Sequence, residues 1–273
     1  MSAASAQPAI PPAQPVQRLV LAGSRRAGDP LCRAEGVASK AVIDVGGQPM
    51  LARVLRALEG SRAGGPPAWV LGLEGAALAA AADGVACRSL PSTARGPAGA
   101  LLDALEGPVG TPLLVATCDH ALLTPEIVST FLDGSRAAGA DLTVGLAERR
   151  VIEAAHPDTR RTYLRLGGAQ LSGCNLFYLA SPAALPVLRF WQRIEQDRKH
   201  PWRIARRFGV VTALRILGAR SGPEGVFALL SRRLGVRVRP VLLPFAEAAI
   251  DVDKPADLML VRGILAARAG SGG

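Results

Sequence analysis

The chain has 273 residues, 49% of them hydrophobic but only 4% aromatic, so it can bury a large aliphatic α/β core, with or without a sizeable insertion. Its net charge of +10 resides entirely in segment 185–240, where thirteen Lys/Arg face three Asp/Glu; elsewhere the charges balance. Trp191 and Trp202 are the only tryptophans there, and the basic side chains lack the interleaved stacking aromatics of a nucleic-acid surface, so nucleic acid is excluded as a partner.

Residues 1–15 (MSAASAQPAIPPAQP) lack the basic start and apolar stretch of a signal peptide and read as a disordered Pro/Ala-rich leader. From Val16 onward, short apolar runs alternate with amphipathic stretches, the pattern of βαβ units around a mostly parallel sheet. It predicts strands over 16–22, 68–73, 85–90, 112–117, 141–147, 173–179 and 236–242. Helices are expected over 49–59, 97–106, 124–138, 182–197, 203–217, 223–234 and 255–268. Thr124-Pro125 marks one helix start, an N-cap threonine followed by proline at the first helical position, and Lys254-Pro255 marks another. The basic stretch falls between two predicted strands, which makes it a helical insertion of about 185–235 inside one domain of 16–268. No apolar run reaches the ~18 residues of a membrane span. Cys32, Cys87, Cys118 and Cys174 are scattered, without zinc spacing or a disulfide framework, so a reducing cytoplasm is the expected compartment.

The first strand runs into Leu21-Ala22-Gly23-Ser24-Arg25-Arg26. A glycine after a parallel strand lets backbone N–H groups approach phosphate oxygens, and cations in the same loop neutralise them. Lys40 then opens Lys40-Ala-Val-Ile-Asp-Val-Gly-Gly47-Gln-Pro49-Met-Leu51, and no Walker motif occurs anywhere. Three further segments combine a strand end with polar residues: Pro91-Ser-Thr-Ala-Arg95-Gly96-Pro-Ala-Gly99, Thr117-Cys118-Asp119-His120, and Ala249-Ile250-Asp251-Val252-Asp253-Lys-Pro255-Ala-Asp257.

This succession resembles the signature of the NTP-transferase superfamily, the MobA-like nucleotidyltransferases and their relatives acting on molybdenum cofactor, sugar phosphates and alcohol phosphates. Singly, Gly23 reads as a turn and Lys40 as a solvated charge; the order of five elements over residues 16–265, each at a strand end, carries the resemblance. It implies a three-layer α/β/α fold with a mixed sheet, the Rossmann-like GT-A architecture. It also implies transfer of a nucleoside monophosphate from an NTP, CTP or GTP being favoured, to a phosphorylated small molecule, with release of pyrophosphate.

On this sequence the family's triphosphate loop falls to Ala22, Gly23, Ser24 and Arg25, with Lys40 on the phosphate under attack. Arg95 and Gly96 fall where relatives hold the nucleoside. Asp119 and Asp253 match the carboxylates that hold Mg²⁺, an ion suited to one or two carboxylates plus substrate phosphates. Asp251 becomes a possible third ligand if 250–253 is extended, since residues two apart share a face. Arg160 and Arg161, with forks suited to a phosphate monoester, and Asn175 in a G-x-N-L-like element are the expected acceptor ligands.

A GT-A glycosyltransferase shares such a sheet, but Lys40 and the lack of a D-x-D at Asp119 argue against it. A non-catalytic protein gripping anionic surfaces would be expected to have lost the aspartates. In the insertion, Trp191, Ile194, Trp202, Ile204 and Phe208 alternate with Arg193, Arg203, Arg206 and Arg207. Packing on the catalytic domain, a homodimer interface and peripheral membrane contact all fit that alternation.

Overall fold

The computed structural model describes residues 15–23, 29–94, 96–157, 159, 161–197 and 222–270. Eight strands form one sheet: β1 Gln17–Leu21, β2 Ala68–Leu71, β3 Cys87–Leu90, β4 Leu113–Thr117, β5 Leu142–Glu148, β6 Leu164–Leu166, β7 Ala169–Leu179 and β8 Val238–Leu242. The described helices are α1 Pro30–Ala34, α2 Met50–Glu59, α3 Gly75–Ala82, α4 Pro97–Glu106, α5 Pro125–Ala137, α6 Arg149–Ala155, α7 Leu185–Asp197, α8 Gly222–Leu234 and α9 Pro255–Gly270. The strand order is β3-β2-β1-β4-β7-β5-β8, with β6 hairpinned onto β7. Pairing is parallel among β3, β2, β1 and β4 and between β5 and β8, whereas β7 runs antiparallel to both β4 and β5.

The continuous apolar run Leu113-Leu-Val-Ala reflects a strand covered on both faces, and all four of these residues are buried. Alternation sorts them: Leu114 and Ala116 join Leu51, Leu55, Phe131 and Leu132 of α2 and α5, while Leu113 and Val115 join Leu101, Leu188 and Phe227 of α4, α7 and α8. A third cluster, Leu31, Ile43, Val45, Met50, Leu122, Ile250, Val252, Leu258 and Val261, ties α1, the start of α2 and α9 to the loop after β4. The three-layer α/β/α expectation therefore holds.

All seven expected strands are present, and six of the seven expected helices. The helix expected over 203–217 lies outside the described residues, as do residues 1–14 of the expected leader. β7 begins four residues earlier than 173 because Gly167 and Gly168, both at positive φ (58° and 89°), make a two-residue hairpin loop that pairs β6 with it. Thr124 caps α5 as expected, its Oγ1 accepting from Ile127 N at 3.2 Å, ahead of Pro125. In α7, Leu188 is buried and Trp191 lies against Phe177 of β7, ring centroids 5.3 Å apart, so this part of the insertion packs on the sheet.

Candidate active site

Strand β1 has β2 on one side and β4 on the other, so the chain leaves it in both directions across the sheet. Open α/β sheets bind ligands in the crevice outside the carboxyl ends of strands at such a switch point. Here Ala22 N donates to Leu71 O (2.9 Å) and Cys118 N to Leu21 O (3.0 Å), which fixes where β1 ends. Gly72, at φ 91°, comes so close that a Cβ there would sit 2.7 Å from Gly23 Cα. A Cβ added to Gly23 itself would meet none of the described residues within 4 Å. Gly23 therefore presents bare backbone at the switch point.

Lys40 opens a 3-10 turn, Lys40–Val42, that Ser39 caps through its Oγ to Ala41 N (3.2 Å). Its ammonium donates to Asp253 Oδ1 at 2.7 Å and to Val252 O at 3.1 Å, and it lies 3.8 Å from Asp29 Oδ2. Burial works against its charge. The Asp253 hydrogen bond and the fields of Asp253, Asp119 and Asp29 outweigh that and hold its pKa above the ordinary lysine value. Asp119, just past β4, is locked from two sides: its Oδ1 accepts from Thr117 Oγ1 at 2.5 Å, and its carbonyl accepts from Val252 N at 2.9 Å. The structure thus brings together Lys40, Asp119 and Asp253, with Asp119 just past the strand that pairs with the one leading to Gly23.

Asp29 was not foreseen. Its signal was Asp29-Pro30, an N-cap aspartate ahead of a proline; the cap bond runs from Leu31 N to Asp29 Oδ1 at 2.9 Å. Asp257 is likewise more than a charge near a helix start, since its Oδ2 accepts from Asp253 N (3.2 Å) and Lys254 N (3.1 Å).

Two of the expected site residues have partners within the chain. Segment 250–253 is not a strand, and Asp251 does not share the partner of Asp253: Arg161 engages its Oδ1 and Asn175 Nδ2 donates to its Oδ2 at 3.1 Å. Arg161, expected at the acceptor, is engaged within the chain. The guanidinium closes on Asp251, donates to the Asp251 carbonyl at 3.3 Å and lies 3.5 Å from Asp257 Oδ1, with its side chain only 10% exposed.

Gly96, the N-cap of α4 at φ 90°, faces α7: a Cβ there would sit 2.6 Å from Glu195 Oε2, which accepts from Ala98 N at 3.3 Å. Ser24, Arg25, Arg95 and Arg160 lie outside the described residues. His120, next to Asp119, is buried with Nε2 3.3 Å from the Glu247 carbonyl. Burial, aided by the field of Arg161 and opposed by that carbonyl bond, lowers its pKa to about 4.

Asp119 and Asp253 supply oxygen donors around Lys40, and no group of three or more His/Cys/Asp/Glu that could hold a metal gathers among the described residues. Such a set cannot enclose a metal by itself. It fits a divalent ion of the Mg²⁺ type, which takes one or two carboxylates and completes its octahedron with water and substrate phosphates.

Residues 19–223 match the family model of the MobA-like NTP transferase domain. Among solved structures, a hypothetical transferase from Thermus thermophilus is 33% identical, with a TM-score of 0.73, over 89% of this chain and 99% of its own. More distant likenesses show the fold alone. One is a CMP:2-keto-3-deoxy-manno-octonic acid synthetase complexed with CTP (18% identity, TM-score 0.52, 93% of this chain, 98% of that one). Another is the molybdopterin-guanine dinucleotide biosynthesis protein A of Archaeoglobus fulgidus (14%, 0.50, 92% and 99%). No curated protein matches the sequence.

Proposed function

Because the chain belongs to the MobA-like NTP transferase family, we propose that it is a nucleotidyltransferase that moves a nucleoside monophosphate from CTP or GTP to a phosphorylated small molecule. The observation that supports this most is the seat of Lys40: an ammonium held between Asp253 and Asp29, in the field of Asp119, at the carboxyl end of the central strands. An acceptor phosphate oxygen attacks the α-phosphorus, the new P–O bond forms in line with the bond to the β-phosphate oxygen, and pyrophosphate leaves with that bond's electrons.

The chain's own part is positioning and charge stabilisation. Gly23 offers backbone to the triphosphate without a side chain in the way. Lys40 stabilises the negative charge that grows on the α-phosphate oxygens. Asp119 and Asp253 are the residues to hold Mg²⁺, which when bound neutralises the phosphates. No protein nucleophile is required, and the lock of Thr117 on Asp119 keeps one carboxylate aimed before substrate arrives.

The test is incubation with each NTP and Mg²⁺ while pyrophosphate release is followed upon addition of phosphorylated alcohols, sugars and pterins. Release that requires one NTP and one acceptor, and that disappears in Asp119→Asn, is the expected result. Release of free phosphate or of a sugar from an NDP-sugar would refute the reading.

A further inference from the structure

Asp253 reaches Lys40 from a loop that has no strand to hold it. Anchors on and around it fix it instead. Val252 N is tied to Asp119 O (2.9 Å), Asp253 N to Asp257 Oδ2 (3.2 Å), and Asp251 is gripped by Arg161 and Asn175. Arg161 joins two of these anchors, since its guanidinium touches Asp251 and approaches Asp257 at 3.5 Å.

Asn175 contributes from an irregular place. It sits in β7 at φ 51°, where the register with β5 shifts between Val144 and Leu146. Opposite the irregularity, a Cβ on Gly145 would lie 3.2 Å from Leu176 Cβ and 3.4 Å from Cys174 Cβ, so the neighbouring strand is shaped to accept it. A non-glycine residue in the left-handed region is uncommon, and bulges beside sites re-aim side chains. This one aims the Asn175 amide at Asp251.

Resting on the nucleotidyltransferase reading above, we infer that Arg161, Asn175 and Asp251 form a positioning cluster that sets the 250–254 loop, so that Arg161 organises the metal and triphosphate side of the site rather than binding the acceptor. The three side chains come from separate parts of the chain, with Arg161 and Asp251 90 positions apart and Asn175 and Asp251 76 apart. With Arg161 removed, Asp251 and the 9%-exposed side chain of Asp257 lose their cation. Two mostly buried carboxylates would then repel each other and draw in water, and the loop carrying Asp253 would move with them. An acceptor ligand would behave otherwise: its loss would weaken acceptor binding and leave the loop in place.

The experiment compares wild type with Arg161→Ala, Arg161→Lys and Asn175→Ala. Asn175→Ala is the milder change if the arginine variants fold poorly. Mn²⁺ binding in the presence of a non-hydrolysable NTP analogue is titrated by electron paramagnetic resonance with no acceptor present, and acceptor KM is measured separately. The expected result is Mn²⁺ binding weakened at least tenfold in Arg161→Ala and Asn175→Ala, less so in Arg161→Lys, with acceptor KM changed by less than threefold. Unchanged Mn²⁺ binding with an acceptor KM raised tenfold or more would overturn the inference. A ligand-free crystal structure of Asn175→Ala separates this failure from failure of the functional reading. The positioning role requires the 2.7 Å Lys40 to Asp253 contact to open; if it stays closed, the cluster does not position the loop, whatever the protein transfers.

Discussion

Lys40 and His120 answer to charge in opposite ways. The ammonium of Lys40 should act on the α-phosphate more strongly in the transition state than in the ground state. Lys40→Ala is therefore expected to lower kcat by about 100-fold or more while KM for NTP moves little, and steady-state kinetics would show it. A change in KM alone would make Lys40 a binding residue. His120 has a folded-state pKa of about 4 against 6.5 for an ordinary histidine, so the unfolded chain binds the extra proton between those values. Stability is then fully present above pH 6.5 and falls as the pH drops from 6.5 toward 4, by up to ~3 kcal/mol at about 1.4 kcal/mol per unit. Urea unfolding at pH 7 and pH 5 should show a loss that His120→Gln greatly reduces; equal slopes in the two proteins would refute it. The motif residues Lys40, Asp119 and Asp253 were legible from the fixed order of their motifs, although only Asp119 directly follows a strand. The partners of Asp251 were not, since spacing along the chain says nothing of an arginine 90 positions away.

Among the elements, the switch-point loops are the least tolerant. Gly72→Ala would drive a Cβ against the backbone of Gly23 at positive φ, a combination expected to cost about 2–3 kcal/mol of stability. Gly23→Ala, with none of the described residues within 4 Å of the added Cβ, should stay within ~0.5 kcal/mol of wild type. Chemical denaturation of the two variants decides the matter, and similar losses would mean that the approach of the loops is unimportant. Phe131→Ala, emptying the largest fully buried side chain beneath α5, should cost about 3–5 kcal/mol. Strands with apolar runs and helices with a 3.6-residue stripe were readable. α3, sequence GAALAAAA, was not, because nearly uniform alanine has no polar face to set the period. α1 and β6 have five and three residues, too few for any periodicity.

At the scale of the whole molecule, α/β layering follows from the alternation of runs, but the antiparallel insertion of β7 between β4 and β5 does not. It is decided by how the chain after α6 turns back through the Gly167-Gly168 hairpin. Ligand linkage supplies a global test: an NTP with Mg²⁺ at a hundred times its Kd adds about 2.7 kcal/mol to unfolding, roughly a 5–10 °C rise in Tm. No rise with any NTP would contradict a preformed triphosphate site. The pair Lys40 and Asp253 is separated by 213 positions, with seven of the eight strands in between. During synthesis, then, every strand is made before the aspartate that meets Lys40. A nascent chain halted short of residue 250 has its sheet strands but lacks Asp253, and on the proposed function such a truncated chain would transfer no nucleotide.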